Sequence, residues 1–193
     1  MAERRIFIAV LAAGSSRRFG EEDKLAASFR GKRLGEHVTS NIPLELAAPG
    51  CASVITSEFG HPCEQSWKEA GFGISPNPRA NEGIGTSVAR AVRLSVKAEC
   101  DSILIALADM PFVPREHFVA LINANLSTDG SFCSSSGDTR MPPAIFGPGF
   151  PHPMVALEGD AGMRPFLGQT AAVSCRPEWL VDIDTPEALR RLA

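Results

Sequence analysis

"IFIAVLAAGSSRRFGEEDK", residues 6–24, decides the fold. Ile6–Leu11 is apolar without a break, the pattern of a strand covered on both faces. Directly after it the chain turns small and cationic: Ala12, Ala13, Gly14, Ser15, Ser16 and Gly20, with Arg17, Arg18 and Lys24 among them. Small residues let the backbone curl and point its N–H groups into a concavity that suits an anion, and the cations add positive charge. A tight strand-to-helix turn with solvated arginines would read the same way locally. The common phosphate fingerprints do not fit: GxxxxGK[ST] meets Phe19 and Gly20, and GxGxxG meets Ser16. The two arginines before the apolar run faintly resemble a signal peptide. The run is short, however, and the charged RRFGEEDK follows at once, so a buried strand is expected.

Outward from this stretch, short apolar runs alternate with amphipathic ones. Strands are expected at Ala52–Thr56, in FGISPNP, at Ile103–Ala108, Ser131–Ser135, Ala144–Phe146 and Val173–Cys175. Helices are expected at Leu34–Leu46, His61–Ala70, Thr86–Ala98, Pro114–Asn125 (with Pro114 in the first turn) and Ala161–Leu167. The closing VDIDTPEALRRLA reads as a strand end and a capped helix. Such alternation predicts an α/β fold, a three-layer αβα sandwich with a mostly parallel sheet. The 193 residues suit a single domain over 1–193, and no repeat or linker divides them. In sheets of this kind ligands bind beyond the carboxyl ends of the strands, which singles out the residues after Leu11 and after Ala108.

The composition excludes several classes. A net charge of −3 and the lack of a basic stripe argue against a nucleic-acid partner. No stretch approaches the ~20 apolar residues of a membrane span. Five cysteines, an odd number without CxxC, read as reduced thiols of a cytoplasmic protein. The four histidines are isolated in sequence, which argues against a histidine metal centre.

Asp109 ends ILIALAD, just past the second strong strand, where a carboxylate can hold a hard cation such as Mg²⁺ or cap the next turn. NPRANEGIGTSVARAV places Asn77, Gly83 and Ser87 ahead of a helix; Thr86 or Ser87 could equally be its N-cap. Asp182 and Asp184 lie two apart, on one side of an extended segment, and Asp184 or Thr185 could cap the last helix.

Taken together, these blocks resemble the MobA-like nucleotidyltransferases, and within them most closely the molybdenum cofactor cytidylyltransferases. LAAGSSRRFGEEDKL is similar to the opening L-A-(A/G)-G-x-S-x-R-x-G followed by lysine, and LADMPFV to the metal-binding strand end. NPRANEGIGTS is similar to the stretch that meets base and ribose. PPAIFG and ALEGDAGMRPFL are similar to the part that meets the pterin substrate, and DIDTP to the last motif. The resemblance runs from Ile6 to Leu189 in five ordered blocks. It implies a Rossmann-like, GT-A-like nucleotide-diphospho-sugar transferase fold. It also implies nucleotide contacts at Leu11, Ala12, Ala13, Gly14, Ser16, Asn77, Gly83 and Ser87, with Lys24, Arg18 and Asp109 as catalytic groups. Asp109 and Asp184 would hold Mg²⁺, with Asp182 left open as the alternative second ligand, and Asp160 and Arg164 would bind the acceptor.

The implied reaction moves CMP from CTP to the terminal phosphate of molybdopterin, with a client molybdoenzyme downstream. LAAG rather than LAGG at residues 11–14 is what points to cytidine. The rival readings are a guanosine donor, a sugar or alcohol phosphate acceptor, and a non-enzymatic cofactor chaperone.

Overall fold

Ile6–Leu11 forms strand β1, an interior strand buried along its whole length as its sequence predicts, beside the central strand of the sheet. The computed structural model describes residues 4–14, 19, 23–149 and 151–193. After β1 come a small hairpin, β2 (Ser28–Phe29) and β3 (Lys32–Arg33), then α1 (Leu34–Asn41), β4 (Ala52–Thr56), α2 (Glu64–Glu69) and β5 (Gly73–Pro76). The chain continues through α3 (Ile84–Lys97), β6 (Ser102–Leu107), α4 (Arg115–Thr128), β7 (Phe132–Ser136) and β8 (Thr139–Phe146). It ends with α5 (Pro151–Met154), α6 (Arg164–Leu167), β9 (Ala171–Ser174) and α7 (Pro186–Leu192).

Seven strands form one sheet in the order β5-β4-β1-β6-β8-β7-β9. β1 pairs in parallel with β4 and β6, and β4 with β5. β8 runs antiparallel to both β6 and β7, while β9 is parallel to β7. The period-two alternation of a strand divides the core into two layers. Ile6, Ile8 and Val10 face α1, α2 and α4, meeting Leu34, Val38, Trp67, Phe118 and Leu121. Phe7, Ala9 and Leu11 face α3, α5 and α6, meeting Val88, Val92, Met154 and Leu167. This is the expected three-layer αβα sandwich with a mostly parallel sheet.

The differences from expectation are local. The helix expected over Leu34–Leu46 stops at Asn41, because Pro43 has no N–H and its ring crowds the preceding turn; Leu44–Leu46 is a separate 3₁₀ turn. Pro114 caps α4 from outside with extended backbone rather than opening it. α2 starts at Glu64, not His61, and α3 two residues earlier than Thr86, from Gly83 at φ 115°. Strand β8 passes through Pro142 and Pro143, although only Ala144–Phe146 was expected. β9 begins two residues before the predicted Val173 and ends at Ser174, and α6 is only Arg164–Leu167. Residues 181–184 are not a strand; Ile183 N–H donates to Asp109 O at 3.0 Å and ties that segment beside β6. Thr185 caps α7 by accepting from Ala188 N–H, with Pro186 opening the helix.

All five cysteines are free thiols, and burial pushes the Cys63 thiol up to about 12. No helix among the described residues is long and apolar enough to cross a membrane.

Candidate active site

The carboxyl ends of β1 and β6 lie side by side, with Leu11 paired to Leu107. The chain leaves both ends in the same direction. Ala12 N–H donates to Ile55 O at 2.8 Å and Ala108 N–H to Leu11 O at 3.0 Å, which fixes where Gly14 and Asp109 begin. The hydrogen bond from Ile183 delivers Asp184 to the same spot.

Lys24 reaches in from a 3₁₀ turn, Lys24–Ala26. Its Nζ donates to Asp109 Oδ2 at 2.6 Å and to Asp184 Oδ1 at 2.9 Å. The three side chains are 12%, 20% and 28% exposed, so these charges act through little water. Burial by itself would lower the Lys24 pKa. The carboxylates of Asp109 and then Asp184 outweigh it and hold the ammonium above its ordinary range, so it stays charged at neutral pH.

Asp109 Oδ1 is buried and has no hydrogen-bond partner among the described residues. A buried carboxylate oxygen without a partner is costly, and a hard cation would satisfy it. Asp109 and Asp184 together offer two carboxylates, which fits Mg²⁺, an ion that commonly takes one or two protein carboxylates together with substrate phosphates. No cluster of three ligand side chains forms among the described residues.

These groups lie in a cleft of about 530 Å³, within the range of small-molecule sites. Leu11–Gly14 line one side, Lys24, Asp109 and Asp184 the middle, and Asn81–Ile84 with Ser87 the other side. Among the described residues nothing lies within 4 Å of a Cβ placed on Gly14. The opposite wall is closely fitted. A Cβ on Gly83 would lie 2.3 Å from Gly159 C, one on Gly85 2.6 Å from Glu158 O, and Gly85 N–H donates to Gly159 O at 2.8 Å.

A second pocket of about 370 Å³ opens beyond that wall, lined by Arg140, Met141, Pro142, residues 160–164 and Asp182. Ile84, Leu107 and Asp160 border both spaces. Burial first, then the neighbouring Asp184 and Asp109 carboxylates, raise the Asp182 pKa.

Residues 8–173 match the MobA-like NTP transferase domain. The chain belongs to this family. Purine catabolism protein PucB of Bacillus subtilis is 30% identical over 189 residues, covering 92% of this chain and 90% of that protein. A molybdenum cofactor guanylyltransferase of Shewanella sp. (strain ANA-3) is 24% identical, covering 95% and 93%. Among solved structures, a nucleotidyl transferase from Methanothermobacter superposes with a TM-score of 0.73 at 20% identity, covering 97% of this chain and 95% of that one.

In this MobA-like domain the sequence-predicted residues divide into groups. Leu11, Ala12, Ala13, Gly14, Lys24, Gly83, Ser87, Asp109 and Asp184 all line the first cleft. Asp160 borders both spaces and Arg164 only the second. Arg18 and Ser16 lie outside the described residues. Asn77, expected at the nucleotide, does not line the cleft. It is 4% exposed, and its amide nitrogen donates to the Thr86 and Ser87 hydroxyls at 2.9 and 3.0 Å, so it braces the wall from behind. Thr86 is no N-cap: its hydroxyl contacts Arg79 O and Gly83 O.

Sequence reasoning missed Asn81, Glu82 and Arg140. Arg140 stands just before PPAIFG, and its place beside a recognised block was the available signal. The hydrogen bonds of the Arg140 guanidinium go to Leu167 O and Thr170 O, which also fastens the end of α6 to β8.

Proposed function

We propose that this MobA-like domain transfers CMP from CTP to the terminal phosphate of a molybdopterin-type cofactor and releases pyrophosphate, with Mg²⁺. The carrying observation is the Lys24 ammonium held between Asp109 and Asp184 on the floor of the first cleft. An acceptor phosphate oxygen attacks the α-phosphorus, the bond from that phosphorus to the β-phosphate oxygen breaks, and pyrophosphate carries the electron pair away. The nucleophile is already ionised, so no protein base is required, and the work of the chain is positioning and charge stabilisation.

Lys24 stabilises the negative charge that grows on the transferring phosphoryl group. Asp109 and Asp184 would hold Mg²⁺, which when bound neutralises phosphate charge and orients the triphosphate. No described residue covers the place of a Gly14 side chain, which suits a close approach of phosphate oxygens to the backbone there. Arg18 is proposed to meet the departing pyrophosphate.

The second pocket supports the acceptor reading. Arg164 and Arg140 bring positive charge to it, and Asp160 stands at its boundary with the nucleotide cleft. The relative named molybdenum cofactor guanylyltransferase supports the acceptor class. Support for cytidine comes from Ala13, whose buried methyl lines the cleft and takes space that glycine would leave to a larger base. One methyl is worth about 1–3 kcal/mol, enough for a preference of tenfold or more. Five free thiols support placing the reaction in the cytoplasm, with a client molybdoenzyme receiving the product.

A thermal-shift comparison of CTP and GTP, each with Mg²⁺, tests the donor. The expected result is a larger shift with CTP. A larger shift with GTP makes the donor guanosine, and no shift with either removes the nucleotidyl-transfer reading.

A further inference from the structure

Lys24 sits on a single 3₁₀ turn, a form with few hydrogen bonds of its own. Ala26 N–H donates to Asp23 O at 3.0 Å and Ala27 N–H to Lys24 O at 3.3 Å. Something further must fix the turn if Lys24 is to meet a phosphate at a defined place. The Asp23 side chain supplies part of it, since Oδ1 accepts from Leu25 N–H at 2.8 Å.

The other oxygen, Oδ2, lies 2.8 Å from His61 Nε2. Cys63 N–H donates to His61 Nδ1 at 3.0 Å, so Nδ1 offers its lone pair and Nε2 carries the hydrogen. That N–H is not aimed squarely at the carboxylate, so the approach is a close electrostatic contact rather than a linear hydrogen bond.

The His61 side chain is 8% exposed and stacks on the indole of Trp67, ring centres 4.6 Å apart. Trp67 is fully buried and donates from its indole N–H to Gly35 O at 2.9 Å. The Cys63 thiol reaches Leu25 O at 3.3 Å, so the start of α2 holds the lysine turn at two points.

We propose that His61 is a positioning residue for Lys24, acting through Asp23. This rests on Lys24 being the phosphate-binding cation of the reaction above. The imidazole anchors the Asp23 carboxylate on the α2 side of the turn, while Lys24 extends to the sheet side and its two aspartates. Burial alone would raise the Asp23 pKa. Contact with His61 and the backbone N–H groups outweighs it, and the carboxylate remains an anion able to hold its place. Without the imidazole contact Asp23 is released to compete for the neighbouring ammonium, and the turn loosens.

The test compares His61→Phe, which keeps the ring on Trp67 and loses the N–H, with His61→Gln, which restores a donor. Pyrophosphate release is measured with CTP, Mg²⁺ and molybdopterin, CTP affinity by calorimetry, and labelling of Lys24 by reductive methylation with mass spectrometry. The expected result is about a tenfold lower kcat for His61→Phe with CTP affinity nearly unchanged, faster Lys24 labelling, and recovery of both in His61→Gln. Lys24 labelling that matches the wild type, or a loss in His61→Phe that persists undiminished when Lys24→Ala is added, overturns the proposal. Should His61→Phe fail to fold, Asp23→Asn, which keeps the cap, carries the same expectations. A wild-type protein inert with CTP and GTP sinks the catalytic reading instead, and the labelling comparison still decides the role of His61.

Discussion

The two pockets on either side of the Gly83–Gly159 wall are built in opposite ways. In the first, the central cation is already held by two carboxylates before any substrate arrives, and the backbone around it is fixed by the sheet. In the second, Arg164 is exposed and its guanidinium has no hydrogen bond among the described residues. A preorganised site favours a group whose charge changes during reaction, whereas an open cationic one favours general capture of an anion. On the proposed reading the first serves chemistry and the second recruitment, and mutation can separate them.

Asp109→Asn should have the largest effect, about a thousandfold loss of kcat, measured by pyrophosphate release; a loss confined to acceptor KM would reverse the assignment of the two pockets. Gly83→Ala should follow. Its φ of 115° and the 2.3 Å approach to Gly159 leave no place for a methyl, so denaturant unfolding should show a loss of about 3 kcal/mol.

Lys24→Ala should lower kcat about a hundredfold while CTP binding changes little. Its raised pKa also sets a pH window. The ion-pair contribution is fully present below the ordinary lysine value of about 10.4, and it fades only as pH climbs through the higher folded value. An alkaline limb attributable to Lys24 is therefore expected above about pH 10, and one near neutrality would show the ammonium is not held this way.

Arg164→Ala should raise acceptor KM about tenfold and leave kcat nearly intact, the mark of uniform binding. A kcat loss equal to that of Lys24→Ala would erase the contrast between the pockets.

The smallest effect concerns Asp182. A carboxyl whose folded pKa is raised costs stability once ionised, above about pH 4, and the protein regains it as pH falls through the folded value. The residue is largely open to solvent while its carboxyl is partly covered, so screening keeps the cost small. Asp182→Asn should raise Tm by about 1 °C at pH 7 and have no effect near pH 3, read by thermal melts of the ligand-free protein.

The sheet and its helices were legible because Ile6–Leu11 and Ile103–Ala108 are continuous apolar runs, and such runs admit few arrangements. The hairpin at 28–33 was not, since two-residue strands carry no period. The first cleft was readable because its residues follow strand ends, where topology converges them. The second was readable only through the family likeness of PPAIFG and of 157–164, because loops owe their position to packing that no local pattern records. Asn77 shows the limit: a motif asparagine looks the same whether it faces a ligand or props up the residue that does. His61 gave no signal at all, since its partner is 38 positions away and the contact exists only after folding.

The close fit of Gly83 and Gly85 against Glu158–Asp160 has a consequence for altering this enzyme. Segments that are distant in the chain share one partition, and each is shaped to the other's backbone. Redesign of residues 158–160, or grafting of a homologue's loop there, should succeed only when residues 83–85 travel with it. A chimera exchanging one without the other would deform the first cleft at residues that were never mutated.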